Sequence, residues 1–493
     1  MMKRNILMGM AICWSGISHA QSLSQGTLAD DFDAFVKEVT ADFESFRQQC
    51  MEEFQDAVRN PWKMFESTPP VPVPKEEPQP PVVMPEEDRE KPHEDKPIVI
   101  EEVVKPQPVE PQPQPVEPIR EVPVVQPAVV EFTLFGTDMK VRFDKKDVVR
   151  LKGVKEADVA DALGRFTSDA YDNMLVDCLA QRERLQLSDW AYLQMLKTVA
   201  YQVAGEGSNE AALLLAYLYV QSGYKMRFAT DGSKLYFLYA SKHYMYGKES
   251  FGIDGDIYYG VEELPDRLHI CEAGFPKEQG LSLFVTREQR FADSESPVRE
   301  IYSKRYPDMV TKVSVNRNLI DFYNTYPKSM VDDNFMTRWA MYANTPMQSA
   351  ALKQIRSTLG KAIAGKSQYE AAQRLLNWVQ TGFVYEYDDK VWGEDRAFFA
   401  EESLYYPYCD CEDRSILFTR LVRDLMGLRC VLVYYPGHLA SAVCFTDGSE
   451  GGDYIMLEGK RYTIADGTYI GAPVGRTMDG MDNKTATVIL LQD

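Results

Sequence analysis

Apolar residues recur near the start of the chain at Leu28, Phe32, Phe35, Val39, Phe43, Phe46, Cys50, Phe54 and Ala57. The steps are three and four, with Asp, Glu, Gln and Lys between them, which predicts one long amphipathic helix ended by Asn60-Pro61. A stripe so rich in Phe needs a cover. The candidates are the protein's own globular part, a second copy, and another envelope protein. The periodicity then stops. Residues 67–130 carry proline at short intervals, as in Pro69-Pro70-Val71-Pro72-Val73-Pro74 and Pro106-Gln107-Pro108-Val109-Glu110-Pro111. Such a tract has little to bury and favours an extended polyproline II chain of ~3.1 Å per residue, so it reads as a semi-rigid spacer.

Order resumes at Phe132. Residues 132–143 read as paired strands, and 155–182 and 188–222 as helices. Tyr224–Phe228 and Leu235–Ala240 read as strands around an Asp231-Gly232 turn. A strand-rich stretch follows to about residue 317. Helices are expected near 332–342, 346–363 and 367–380, then one helix over 412–426. Strands close the chain near 430–435, 439–445, 453–457, 460–465 and 487–491. The pattern is α+β. It divides the chain into 1–20, 21–66 (the amphipathic helix), 67–130 (the spacer), 131–317 and 318–493.

The regions 207–240 and 411–444 share one grammar. Sliding one onto the other by 204 positions sets Gly223 on Gly427, each ending a helix and opening a strand. Asn209 then falls on Asp413, Gly207 on Cys411 and Lys234 on His438. Two accounts stay open. One is a duplication with an inactive first half; the other is chance likeness of two ordinary helix-to-strand units, since glycine at a helix C-terminus is common.

Composition adds a compartment. The chain is 45% hydrophobic and 26% charged over 493 residues, a globular balance with room for two or three domains. Lys3 and Arg4, the short apolar run Ile6 to Gly16 and the small residues around Ser18-His19-Ala20 read as a secretory signal, residues 1–20, too short to span a bilayer. The chain is therefore expected to be exported, periplasmic or extracellular, with no membrane span after cleavage. Formal net charge is −20, and loss of two basic residues with the leader gives −22, which argues against nucleic acid and anionic membranes as partners. Seven cysteines remain in the mature chain: Cys50, Cys178, Cys271, Cys409, Cys411, Cys430 and Cys444. An odd number leaves at least one unpaired within the chain.

The chemistry lies in three blocks: Cys411-Glu412-Asp413, Gly437-His438 and Ala465-Asp466-Gly467-Thr468. Cys411 falls at the start of a helix, where unpaired N–H groups and the dipole favour thiolate and can donate to an oxyanion. Glu412 and Asp413 oppose this by raising a thiol pKa. Asp413 has the place of a first-turn acid that serves the helix. His438 follows a strand broken by Pro436-Gly437. Asp466 ends a later strand. Thiol, imidazole and carboxylate in that order are the parts of a nucleophilic triad. Cys409, Cys411 and His438 lack the fourth ligand of structural zinc, and there is no Gly-x-Ser-x-Gly, so no metal or cofactor is expected.

These blocks resemble the transglutaminase-like superfamily, which places Cys-x-Asp at a helix start, His on the next strand and Asp, often in Asp-Pro-Thr, on a later strand. The resemblance covers roughly 367–475, with Phe383-Val384-Tyr385-Glu386-Tyr387-Asp388-Asp389 and Glu401-Glu402-Ser403-Leu404 as an acidic, aromatic lead-in. Gly467 departs from the usual proline. The likeness implies a papain-like core in 318–493 and acyl transfer on an amide through Cys411, His438 and Asp466; 131–317 is an α+β domain, and a degenerate copy of that core on the duplication account. The Cys411 N–H would serve as one oxyanion donor, with Trp378, Tyr385, Tyr387 or Trp392 as candidates for the second. A protein or peptide substrate and a thiol amide hydrolase, peptidase or acyltransferase follow from it. The alternative is a binding or scaffold protein on the same fold, with an envelope partner on the N-terminal helix. Thiol peptidases of the NlpC/P60 kind share only a Cys before a His, with Asp410 preceding the Cys.

Overall fold

The computed structural model describes residues 45–493 apart from 75–77, 92, 107, 116–118, 120, 125–126, 168, 450 and 493. The residues read as a leader and the first half of those read as an amphipathic helix lie outside the described residues. Residues 45–58 are helical, and Cys50, Met51, Phe54 and Val58 of this stretch are buried in the protein's own main core. Phe54 meets Phe275 edge-on, and Arg47 reaches Asp172, Gln221 and Tyr217. This part of the stripe is covered from within. The helix ends just before Asn60-Pro61, where its stop is expected, and the remainder of the 21–66 stretch extends into the strand Lys63–Glu66.

Two sheets organise the rest, the first antiparallel throughout and the second antiparallel except at its two outermost strands, which pair in parallel. The first has six strands in the order Lys63–Glu66, Arg267–Ile270, Met226–Thr230, Leu235–Ser241, Asp256–Gly260, Phe251–Ile253. The second has seven: Ile100–Val104, Ala486–Leu490, Arg429–Tyr435, His438–Cys444, Lys460–Ala465, Asp453–Leu457, Lys96–Pro97. Read in these directions, the five strands from Arg267–Ile270 to Phe251–Ile253 follow the same order as the five from Ala486–Leu490 to Asp453–Leu457. In each, a helix leads through a glycine of positive φ (Gly223, +93°; Gly427, +66°) into a central hairpin. The next hairpin adds its second strand to one side of that centre, and a later strand adds to the other, all antiparallel. The likeness read between the two helix-to-strand units thus extends to the order of five strands in each sheet.

The proline-rich tract is not a detached spacer. It supplies the outermost strand Ile100–Val104 to the second sheet, Lys96–Pro97 to its other edge, and Val82–Val83 as a parallel partner of Tyr469–Ile470. An exposed sheet edge carries unpaired N–H and C=O groups, and the valines between the prolines can satisfy them while the prolines keep the chain extended.

Helices cover the facing sides of both sheets. Where one helix is expected over 188–222 there are two, Asp189–Ala204 and Asn209–Gln221, parted at Gly205 and Gly207, both of positive φ. Likewise 155–182 is Glu156–Leu163 followed by Asp169–Leu185. The helix Arg317–Tyr323 crosses the expected domain boundary, and Tyr323 stacks on Phe399 with ring centroids 4.0 Å apart. One apolar core therefore runs through both units. No helix among the described residues is long and apolar enough to cross a membrane.

His243 sits inside the first unit, where its Nε2 accepts from the Leu283 N–H at 3.1 Å. Burial, with Lys242 adding, holds its pKa down to about 3. The unfolded chain takes up this proton near pH 6.5, so the stability supplied by neutral His243 is present above that pH and lost as pH falls toward 3. His243→Gln keeps an acceptor for Leu283. Urea unfolding at pH 7 and pH 5 is expected to show the variant losing about 2 kcal/mol less than the native chain over that interval.

Candidate active site

The helix Cys411–Met426 buries Ile416, Leu417, Leu421 and Val422 and ends at Gly427. That glycine turns the chain directly into the hairpin of Arg429–Tyr435 and His438–Cys444, closed at Pro436-Gly437 with Tyr435 opposite His438. Three short polar side chains stitch helix to strand. Ser415 Oγ donates to Leu439 O at 2.8 Å, Ser441 Oγ to Ser415 O at 3.2 Å, and Thr419 Oγ1 to Ser441 Oγ at 3.2 Å. The first turn of the helix is thereby level with the first residues of the strand. The Leu439 N–H reaches the Cys411 sulfur. Lys460–Ala465 pairs on the strand's other side, Ser441 opposite Ala465, so Asp466 emerges at the same end.

His438 and Asp466 meet directly, with Nε2 to Oδ2 at 2.8 Å. A carboxylate only accepts, so Nε2 carries a proton, and in the neutral ring the other nitrogen, Nδ1, carries the lone pair. Nδ1 is buried without a hydrogen-bond partner. Asp466 is held in turn, its Oδ1 accepting from the Thr468 and Tyr469 N–H groups at 2.8 and 3.1 Å. Cys411 and His438 line one cavity of about 440 Å³ together with Trp339, Tyr387, Tyr434 and Gly437. Both are nearly enclosed, at 4% and 1% exposure. The sulfur donates to Glu412 Oε2 at 3.1 Å. Of the three expected residues, then, His438 and Asp466 are in contact, and Cys411 shares a cavity with His438 while its thiol points to its neighbour Glu412.

That thiol is neutral in this state. Burial pushes its pKa well up, the charges of Glu412 and Asp410 add to this, and only the Leu439 N–H pulls the other way. More carboxylates stand behind it. Burial, with Glu412, pushes Asp388 up to about 8, and burial with neighbouring acids raises Asp410 and Asp413 far above the usual range. Asp413 has the structural duty expected of a first-turn acid, accepting from Phe398 N at 2.8 Å and Asp410 N at 3.3 Å. Asp410 Oδ1, by contrast, is buried with no partner. Three overlapping sets bring their ligand atoms within 4.8 Å of one another: Asp410, Cys411 and Glu412; Asp388, Asp410 and Asp413; Asp388, Asp395 and Glu412. Mostly oxygen, these donors suit a hard cation better than zinc.

Two residues that sequence reasoning missed set the geometry. Arg414, 1% exposed, donates to the carbonyls of Gln380, Gly467 and Phe383 at 3.3, 3.2 and 3.1 Å. Gln380 Nε2 donates to the carbonyls of Asp466, Tyr469 and Ala472, and its Oε1 accepts from Gly471 N. Together they fasten the Asp466 turn to the cysteine helix. An arginine and a glutamine on otherwise apolar helix faces were the available signal. Gly467 now has a reason: a Cβ there would lie 2.9 Å from the Arg414 Cβ. Of the aromatic oxyanion candidates, Trp378 is spent on Ile301 O at 3.1 Å, and Trp392 packs on Phe398 and Tyr406. Tyr385 lies close enough for the Cys411 and Asp410 charges to raise its pKa further after burial.

The first unit carries a different pair at the matching places. Subtracting 204 from 411, 438 and 466 gives Gly207, Lys234 and Glu262, and Lys234 Nζ pairs with Glu262 Oε2 at 2.7 Å. A lysine–glutamate ion pair stands where the second unit has its His–Asp pair, and glycine stands where it has the thiol. Asn209 Oδ1 accepts from Leu235 N at 2.9 Å, fastening this helix start to its strand as the sulfur and Leu439 do in the second unit. Neither a family model nor a curated protein matches the chain.

Arg414→Met leaves three buried carbonyls unpaired and is expected to cost about 3 kcal/mol in urea unfolding. Asp410→Asn removes the cost of holding a proton on a buried carboxyl that ionises in the unfolded chain. In chelator at neutral pH it is expected to stabilise the chain by about 1 kcal/mol or more in the same assay.

Proposed function

We propose that this chain is an exported, cysteine-dependent enzyme that cleaves or transfers the acyl group of an amide through Cys411, His438 and Asp466. The observation that carries the reading is the buried His438–Asp466 pair, whose Nδ1 is unpartnered and whose histidine lines the same cavity as a thiol at a helix N-terminus. A helix bearing Cys laid on an antiparallel sheet bearing His and Asp supports a papain-like, transglutaminase-like core. Export is read from the leader-like residues 1–20 alone.

In this mechanism the thiol turns from Glu412 and its proton passes to His438 Nδ1, while Asp466 stabilises the imidazolium. The sulfur forms a bond to the carbonyl carbon. The resulting oxyanion is met by the Cys411 N–H at the helix start and by the Tyr385 hydroxyl. The C–N bond then breaks, the amine leaves with the proton from His438, and a thioester remains. Water or a second amine, deprotonated by the same nitrogen, releases the acyl group. Because burial and acids hold the thiol neutral, the imidazole works as a base on a thiol rather than beside a standing thiolate.

The second reading is a binding or scaffold protein, favoured by the enclosed sulfur and its bond to Glu412. Turnover of a mixed peptide library separates the two. The native chain is expected to cleave amides or incorporate an amine. Cys411→Ala and His438→Ala should abolish this, and Asp466→Asn should lower it about 100-fold or more. Unchanged turnover in Cys411→Ala would refute the enzymatic reading.

A further inference from the structure

The cavity that holds Cys411 and His438 is walled partly by the proline-rich tract. Val73, Pro74 and Pro78 contribute to its lining. The tract arrives along the first unit, where Thr68 bridges Ser250 and Val71 bridges Tyr246. It leaves along the second unit. There Gln79 N donates to Gly437 O at 2.8 Å, and the Gln79 carbonyl faces the Tyr385 hydroxyl at 3.5 Å. Val82 and Val83 then pair with Tyr469 and Ile470, and Met84 N donates to Ile470 O at 2.9 Å. The tract is thus pinned on both sides of the dyad, at the residue before His438 and three residues after Asp466.

The manner of this docking is that of a peptide ligand. An extended chain lies in a cleft with its backbone N–H and C=O at Gln79 matched to a strand-end carbonyl and a tyrosine hydroxyl. Its prolines hold the polyproline II form before docking, so little chain entropy is lost on binding. Tyr385 is also the hydroxyl assigned above to the oxyanion. A backbone carbonyl already faces the group that an incoming amide carbonyl needs.

We propose that this strap, residues 71–74 and 78–83, is an intramolecular occupant of the substrate cleft that keeps the enzyme closed, and that the substrate is an extended peptide pairing with Gly437 and Tyr385 as Gln79 does. The proposal rests on the enzymatic reading above. It accounts for a thiol that is enclosed and bonded to Glu412 in an otherwise assembled site. Opening requires only a few hydrogen bonds and contacts of one surface segment to break, a local event rather than unfolding.

The test uses the full chain and the rate of Cys411 alkylation by iodoacetamide at fixed pH, followed by peptide mapping, with buried Cys178 as internal control. Gln79→Pro removes the donor to Gly437, and Val73→Asp/Pro78→Asp disrupts the strap's contacts by separate means. Both are expected to label Cys411 about 10-fold faster, on the scale of one lost backbone hydrogen bond, with unchanged circular dichroism. Equal rates in native and both variants would overturn the strap. A synthetic peptide with the sequence of residues 69–84, added to the Gln79→Pro chain, should slow labelling again; no protection would overturn the claim that strap and peptide share the cleft. Alkylation needs no turnover. Faster labelling without amide cleavage in any variant would therefore overturn the enzymatic reading alone, whereas cleavage by the native chain at the variants' rate would overturn the strap alone.

Discussion

The site depends on one buried cation without a carboxylate partner. Arg414 lies one turn into the cysteine helix, and its two terminal nitrogens donate to three backbone carbonyls, one each from Gln380, Phe383 and Gly467, while its Nε is buried without a partner. A buried charge is tolerable only where such dipoles surround it. Those carbonyls belong to the end of the helix Gln368–Gly382, the segment leading to Tyr385, and the turn that begins at Asp466. A single side chain therefore sets the positions of the groups around the sulfur. Gln380 repeats the arrangement from the other side, holding the Asp466 turn by three carbonyls and one N–H. With the turn fixed, Asp466 fixes His438, and the imidazole has one orientation left.

Against this rigid frame the electrostatics run contrary to thiolate formation. A helix N-terminus favours a negative sulfur, yet four carboxyl groups crowd the same end and burial weighs against any charge. The larger effect wins, and the thiol stays protonated on Glu412. The strap explains why such an arrangement persists. With the cleft covered, the acids and the sulfur are buried, and both effects are at their greatest. The state described is a closed one, assembled but not poised.

The two units present a comparison within one chain. Both have the same strand order and the same glycine turn after the same helix. In the second, the three positions of interest hold thiol, imidazole and carboxylate; in the first they hold glycine, ammonium and carboxylate. Lys234 and Glu262 are each about one-third exposed, a surface ion pair of small energetic worth. His438 and Asp466 are enclosed. The frame is common property, and the chemistry resides in which side chains it presents.

Periodicity and turn residues were sufficient for much of this. The helix after Cys411, its stop at Gly427, the paired strands around Pro436-Gly437 and the strand before Asp466 lie close to where the pattern sets them, because each rests on local rules of spacing and capping. The order of thiol, imidazole and carboxylate was legible for the same reason, and so was the structural duty of Asp413. Strand order was not, since pairing joins residues distant in sequence, and Glu262 became visible as the counterpart of Asp466 only through it. Arg414 and Gln380 escaped because a polar residue on an apolar face shows its partners only when those partners have folded around it. The proline-rich tract was misread as a spacer. Its composition states that it is extended, but whether an extended chain stands free or lies in a cleft depends on the edges and hydrogen-bonding groups that the rest of the fold leaves open to it.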